Sequence, residues 1–266
     1  MLHNSDWEEI YSREEYCNLY RRLIELHRDT GAVHAGGSIS ILPVMYLLFS
    51  GLFSEDNDML VFSKGHTVFA LYCVLAMRGF ISEEDLMNCC KDGARLGAHP
   101  PKNLVPFAPF ATGSLGHGAS LSAGLALGLK LHDRAGRVYC ICGDGEFQEG
   151  SCWEAVTFSV RHKLDNMTII IDCNGWQGFG SVYDTAGYGV DGLASRLSAF
   201  GADVKTCNVH DWEALCSCIS SNSSGKLSAV LVSSVKGEGL GIYENTLASH
   251  YIKIDDSIAE KAGIIF

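Results

Sequence analysis

The amino-acid sequence predicts an α/β fold, a single domain over residues 1–266 with a mostly parallel sheet flanked by helices on both faces. Three observations predict it. Two continuous apolar runs, residues 137–142 and 167–171, have the length and composition of strands buried on both faces. Between them, Ser151-x-x-Glu154 reads as a helix cap, and Trp153, Val156 and Val160 share one helical face. Strand, helix, strand is a parallel crossover unit, and a third apolar run at residues 226–235 extends the same style.

The remaining elements follow in order. Residues 12–27 read as a first helix, opened by the capping box Ser12-x-x-Glu15 and carrying Tyr16, Leu19, Tyr20, Leu23 and Ile24 at helical spacing. Residues 39–49 read as a second helix, and Ser82-x-x-Asp85 opens another. The stretch with Pro100, Pro101, Pro106 and Pro109 lacks periodicity and reads as an ordered loop. Residues 115–131, rich in Gly, Ala, Ser and Leu, form a helix suited to close packing.

Composition narrows the function classes. Apolar residues make up 47% and charged residues 19% of the chain, a globular balance. Twenty Lys and Arg against 31 Asp and Glu give a net charge of −11, without the basic footprint that nucleic acid or an anionic membrane requires. No uninterrupted apolar run approaches the ~18–20 residues of a membrane span. The acidic start MLHNSDWEEIYSREE has neither the basic nor the apolar region of an export signal, so a cytoplasmic protein is expected. The eleven cysteines include Cys140-x-Cys142 and Cys216-x-Cys218, which do not form spaced zinc knuckles. They read as buried reduced thiols.

The chemistry is expected beyond the carboxyl ends of the strands. Asp144 follows one apolar strand between Gly143 and Gly145, and Asn174 follows the next, 30 positions later. One crossover uses about that much chain, so the two side chains should emerge together. A carboxylate and an amide oxygen suit Mg²⁺, and the flanking glycines let backbone N–H groups approach a diphosphate. Gly-Asp-Gly alone is ordinary turn chemistry. The strand before it and the matching second loop are what point to a metal–phosphate site. A dinucleotide fingerprint is absent, because Gln148 stands where the third glycine belongs, and there is no Walker A loop.

The run Gly143-Asp-Gly-Glu-Phe-Gln-Glu-Gly150, with Trp153-Glu154-Ala155, Lys163-Leu-Asp-Asn166 and Asp172-Cys-Asn174, closely resembles the thiamine diphosphate motif of transketolases. The resemblance extends over nearly the whole chain. Thr30-Gly-Ala-Val-His-Ala-Gly-Gly-Ser-Ile-Ser40, Ser63-Lys-Gly-His66, Gly97-Ala-His-Pro100 and Thr112-Gly-Ser-Leu-Gly116 resemble further loops of that family, in family order. Lys236-Gly237 and His250 resemble a final Lys-Gly and His pair.

This resemblance implies thiamine diphosphate and Mg²⁺ as cofactors. It makes Asp144 and Asn174 the side-chain ligands of the metal, with the carbonyl of Trp176 as a third; a tryptophan is unusual there. It assigns Gly145, His66, Lys236 and His250 to the cofactor's diphosphate end, with Asn174 shared, and Gly113, Ser114 and Leu115 to its rings. His34, His99 and His66 would form the catalytic group, the first two beside the reacting carbon. Neutral imidazoles both donate and accept, which suits breaking and making a ketose C–C bond. His117 stands where glutamine is common and receives no role, and Glu149 and Glu154 read equally as helix caps.

Transketolases take a glutamate for the pyrimidine ring, and arginines for substrate phosphate, from a second domain. The expectation is therefore the amino-terminal subunit of a split transketolase, completed by a carboxy-terminal partner in an α2β2 assembly, that moves a two-carbon ketol unit from a ketose to an aldose. Three alternatives stay open. One is a deoxyxylulose-phosphate-type synthase or 2-oxo-acid dehydrogenase component. Another is an acyloin-forming relative, suggested by Ala35, Ser114, His117 and Trp176. The last is a non-catalytic regulatory subunit.

Overall fold

A computed structural model describes residues 12–262. The start of the chain, where an export signal would stand, falls mostly in residues 1–11, outside the described residues. Helix α1 is Arg13–Thr30, capped by the Ser12 hydroxyl, which accepts the Glu15 N–H at 3.2 Å. The capping box is not closed by Glu15 directly. Tyr46 inserts its hydroxyl, taking the Ser12 N–H at 3.1 Å and reaching Glu15 Oε2 at 2.8 Å.

Helix α2, Ala35–Leu47, is buried along its whole length and runs into a wider turn at Leu48–Leu52. Contrary to the sequence expectation, Ala35–Leu52 is long and apolar enough to span a membrane, but 83% of that stretch is buried inside the protein as a core helix. Strand β1 is Met59–Phe62, followed by α3, Val68–Met77, and α4, Glu83–Met87, the last capped by Ser82 as its sequence predicts. After an irregular segment that includes the prolines come α5, His117–Leu131, and β2, Val138–Gly143.

Helix α6, Gly150–Arg161, joins β2 to β3, Met167–Cys173. Its cap differs from expectation. Glu149 holds the N-cap position without a side-chain bond, and Ser151 turns away to donate to the Gly116 carbonyl at 2.8 Å. A two-residue hairpin pairs β4, Trp176–Gln177, with β5, Gly180–Ser181. Then follow α7, Val182–Ala186; α8, Val190–Ala199; β6, Asp203–Asn208; α9, Trp212–Ser220; β7, Ser228–Ser233; α10, Ala248–Tyr251; and α11, Asp256–Ala262.

Strands β1, β2, β3, β7 and β6 form one parallel sheet, paired in that order. Alternate residues of its strands serve two cores. Phe62, Tyr139, Ile141, Ile170 and Val230 face a layer with α1, α2, α3 and α9. Val138, Cys140, Ile169, Ile171 and Leu231 face α5, α6 and α8. Burial on both faces explains why β2 and β3 read as unbroken apolar runs. No disulfide forms among the described residues.

His27 packs in the first core, its Nδ1 3.1 Å from the Ala32 carbonyl and its ring against Phe69. Burial pushes its pKa down from 6.5 to about 4. The unfolded chain takes up that proton near the higher value and the folded chain only near the lower one. Stability present above the higher value is therefore lost as pH falls through that window. His27→Leu should gain about 3 kcal/mol relative to the parent between pH ~7 and ~4 in denaturant unfolding. A difference that does not change with pH would contradict this.

Candidate active site

Four of the five strands of the parallel sheet deliver a polar residue just past their carboxyl ends: Lys64 after β1, Asp144 after β2, Asn174 after β3 and Lys236 after β7. Gly143 pairs with Asp172 in the β2–β3 register, so Asp144 and Asn174 emerge on neighbouring strand ends, as their spacing predicts. These residues border a cavity of about 570 Å³ that His34, His66, His99 and His250 also line.

Asp144 is buried and its carboxylate ties two loops together. It accepts the Gly145 N–H and the Gly175 N–H, each at 2.8 Å. Burial, with the nearby Asp172 charge, pushes its pKa up to about 6. The Asn174 oxygen accepts the N–H of Trp176 at 3.1 Å, so both side chains converge on the turn at residues 174–176. The Trp176 carbonyl lies 3.2 Å from the Lys236 ammonium. Carboxylate, amide and carbonyl oxygens form a hard donor set that fits Mg²⁺ and not a soft metal. Among the described residues, no group of three His, Cys, Asp or Glu side chains is arranged to hold a metal.

Behind Asn174 lies a network that the sequence did not reveal. Its amide nitrogen donates to Asp172 at 3.0 Å and to the Ser40 hydroxyl at 3.2 Å. Those two acceptors fix which end of the carboxamide presents oxygen. Asp172 also takes a hydrogen bond from Ser40 at 2.7 Å, another from Ser234, and a buried ion pair from Lys64. Burial alone would raise the Asp172 carboxyl, but the Lys64 ammonium and the two hydroxyls outweigh it and hold it below its ordinary value. Lys64→Met should lower the unfolding free energy by about 3–5 kcal/mol, because Asp172 would keep a buried charge without its cation. An unchanged denaturant midpoint would rule the pair out as a structural anchor.

Glu146 is a second buried carboxylate that sequence reasoning missed. It accepts the Gly116 N–H at 2.8 Å, the Gly143 N–H at 3.3 Å and the Ser63 hydroxyl, joining three of the loops around the cavity. The N–H groups of Gly143 and Gly145, expected to face a diphosphate, are thus engaged by Glu146 and Asp144.

The histidines come from four separate segments of the chain, His250 from α10. His34 sits at the N-cap of α2 with φ +70°, a conformation rare for a residue with a side chain. Its N–H donates to the His250 carbonyl at 3.1 Å, and its buried Nδ1 has no hydrogen-bond partner. The His34 ring centroid lies 5.2 Å from that of His66 and 4.7 Å from that of His250. Gly36 permits this approach, because a Cβ there would stand 2.7 Å from the Ser249 carbonyl. Gly113, at φ +155°, does the same for His99, whose ring would lie 2.9 Å from an added Cβ.

Burial lowers the pKa of His34, and more strongly that of His66. His250 is pushed down to about 3 by burial and then by Lys236, whose own pKa burial and Lys64 lower to about 8. His34, His66 and His250 are therefore neutral at pH ~7, able to donate from one nitrogen and accept at the other.

Of the site residues expected from the sequence, Ser114 alone is not on the cavity wall, and it is exposed. Leu115, Gly113, Gly145, Trp176 and Lys236 line it, as does Glu149.

The profile of the family described as "Transketolase, thiamine diphosphate binding domain" matches residues 21–262. A 6-deoxy-6-sulfo-D-fructose transketolase subunit of Clostridium sp. (strain MSTE9) is 32% identical, over 96% of this chain and 96% of its own length. One of the subunits of an apulose-4-phosphate transketolase from Actinobacillus succinogenes is 30% identical, over 94% of this chain and 92% of that one. The solved transketolase of Campylobacter jejuni superposes with a TM-score of 0.79 at 27% identity over 94% of this chain, which spans only 42% of that longer protein. The parallel sheet, the site at its carboxyl ends and these matches agree: the chain belongs to the transketolase family, as a transketolase-type enzyme component that corresponds to the family's thiamine diphosphate-binding, amino-terminal part.

Proposed function

We propose that this chain is the amino-terminal subunit of a two-component, cytoplasmic transketolase that holds Mg²⁺ and thiamine diphosphate in one diphosphate-binding domain. The reading rests on one observation above all. Asp144 and Asn174 leave adjacent strand ends beside a cavity that four histidines from separate segments also border. Asp144, Asn174 and the Trp176 carbonyl would bind the metal. His66, His250, Lys236 and Gly145 would face the diphosphate, and Gly113 and Leu115 the rings, with Ser114 between them on the outer side of that loop. When bound, thiamine diphosphate supplies the carbanion chemistry of ketol transfer.

The chain's own residues bind, orient and move protons around that group. The unpartnered Nδ1 of His34 and the neutral rings beside it suit the hydroxyls of a ketose, with His34 and His99 handling protons at the reacting carbon. A carboxy-terminal subunit would supply the pyrimidine-side glutamate and the phosphate-binding arginines, in an α2β2 assembly. Two of the relatives are themselves named as transketolase subunits, which supports a partner.

The test is reconstitution. The chain is mixed with a carboxy-terminal transketolase subunit, and transfer is followed with a ketose phosphate and, separately, with pyruvate. Ketol transfer that needs both chains is expected; products formed only when pyruvate is the donor to the aldehyde would favour a deoxyxylulose-phosphate-type synthase.

A further inference from the structure

The hairpin β4–β5, which carries the Trp176 carbonyl, is held from outside by one later segment. The Trp176 indole N–H donates to the Asn245 side-chain oxygen at 2.8 Å. Asn245, itself at φ +53°, donates its N–H to the Lys236 carbonyl at 2.8 Å. Six residues on, the Tyr251 hydroxyl donates to the Gly178 carbonyl at 2.7 Å. Gly178 is close-fitted to that contact, since a Cβ there would stand 3.0 Å from the Tyr251 oxygen. The same segment carries His250, whose carbonyl takes the His34 N–H and whose ring meets the Lys236 ammonium at 2.9 Å.

We infer that Trp176, Asn245 and Tyr251 form a clasp that positions the Trp176 carbonyl for the cation and ties that hairpin to the segment carrying His250. The three act as positioning residues. The indole and the phenol would act through the hairpin backbone, by their bonds to Asn245 and to the Gly178 carbonyl, and not as ligands themselves. The inference rests on the cofactor reading above and adds to it why a bulky, hydrogen-bonding side chain stands at a position that contributes only its carbonyl.

The experiment is calorimetric titration of thiamine diphosphate into the chain over a series of Mg²⁺ concentrations. The variants are Trp176→Phe, Asn245→Gly, which suits the left-handed backbone, their double variant, and Tyr251→Phe. Each single change should raise the Mg²⁺ concentration for half-maximal binding by about three- to tenfold, the loss of one hydrogen bond. The double variant should lose no more than either of its singles, because both remove the same bond. At saturating Mg²⁺ all should return to the parent's affinity. An unchanged Mg²⁺ requirement, a loss that persists at saturating Mg²⁺, or additive losses in the double variant would overturn the clasp. If the parent chain shows no Mg²⁺-dependent binding, alone or with a carboxy-terminal subunit added, the cofactor reading fails and the clasp with it.

Discussion

Asp144→Ala is expected to weaken Mg²⁺-dependent binding of thiamine diphosphate by more than about 100-fold, since even the loss of an outer-shell partner costs a metal site 10–100-fold. Asp144 would give the cation a charged ligand that its neighbours do not replace, because Asp172 is already paired with Lys64 and Glu146 is engaged by Ser63, Gly116 and Gly143. The fold should survive. Without a cation, burial makes the Asp144 charge unfavourable, which is why its pKa rises to about 6. Its removal leaves the Gly145 and Gly175 N–H groups at the edge of a cavity that water can enter, a cost of about 1–3 kcal/mol. Calorimetry with and without Mg²⁺, alongside a thermal melt, separates the two effects. Parent-like affinity in a folded variant would remove Asp144 from the ligand set.

The isolated chain is expected to bind the cofactor yet show no measurable ketol transfer, with activity appearing when the carboxy-terminal subunit is added. Proton transfer by one positioned side chain is worth about 10²–10⁴-fold, and the proposed split site takes the pyrimidine-side glutamate from the partner. The partner would also bring the groups that read a substrate phosphate, so both turnover and substrate choice would depend on it. Steady-state transfer measured with each chain alone and then together decides this. Full turnover by the isolated chain would contradict the split site. A chain that binds no cofactor even with its partner would instead be a regulatory subunit that keeps the fold.

The sequence showed most where physical constraint is local. Strands β2 and β3 were legible because both faces are buried, and the 30 positions between Asp144 and Asn174 matched one crossover. Strand β1 has only four residues, and β6 is an edge strand with polar, partly exposed positions, so neither stood out. The caps at Ser12 and Ser82 depend on nearby residues and were found; Ser151 was misassigned because its hydroxyl goes to Gly116, 35 positions away. The same limit hid the supports of the site. Asp172 meets Lys64 across 108 positions and Ser40 across 132, and Glu146 meets Ser63 across 83. Motif resemblance identified the groups that line the cavity, but only the folded chain shows what holds them in place.

The most direct test is a crystal structure of the chain grown with thiamine diphosphate and Mg²⁺. The account predicts one ion at about 2.0–2.1 Å from an Asp144 carboxylate oxygen, the Asn174 amide oxygen and the Trp176 carbonyl, with diphosphate oxygens completing its shell. Density for the cofactor elsewhere, or an ion that leaves the Asp144 and Asn174 oxygens turned away, would contradict it.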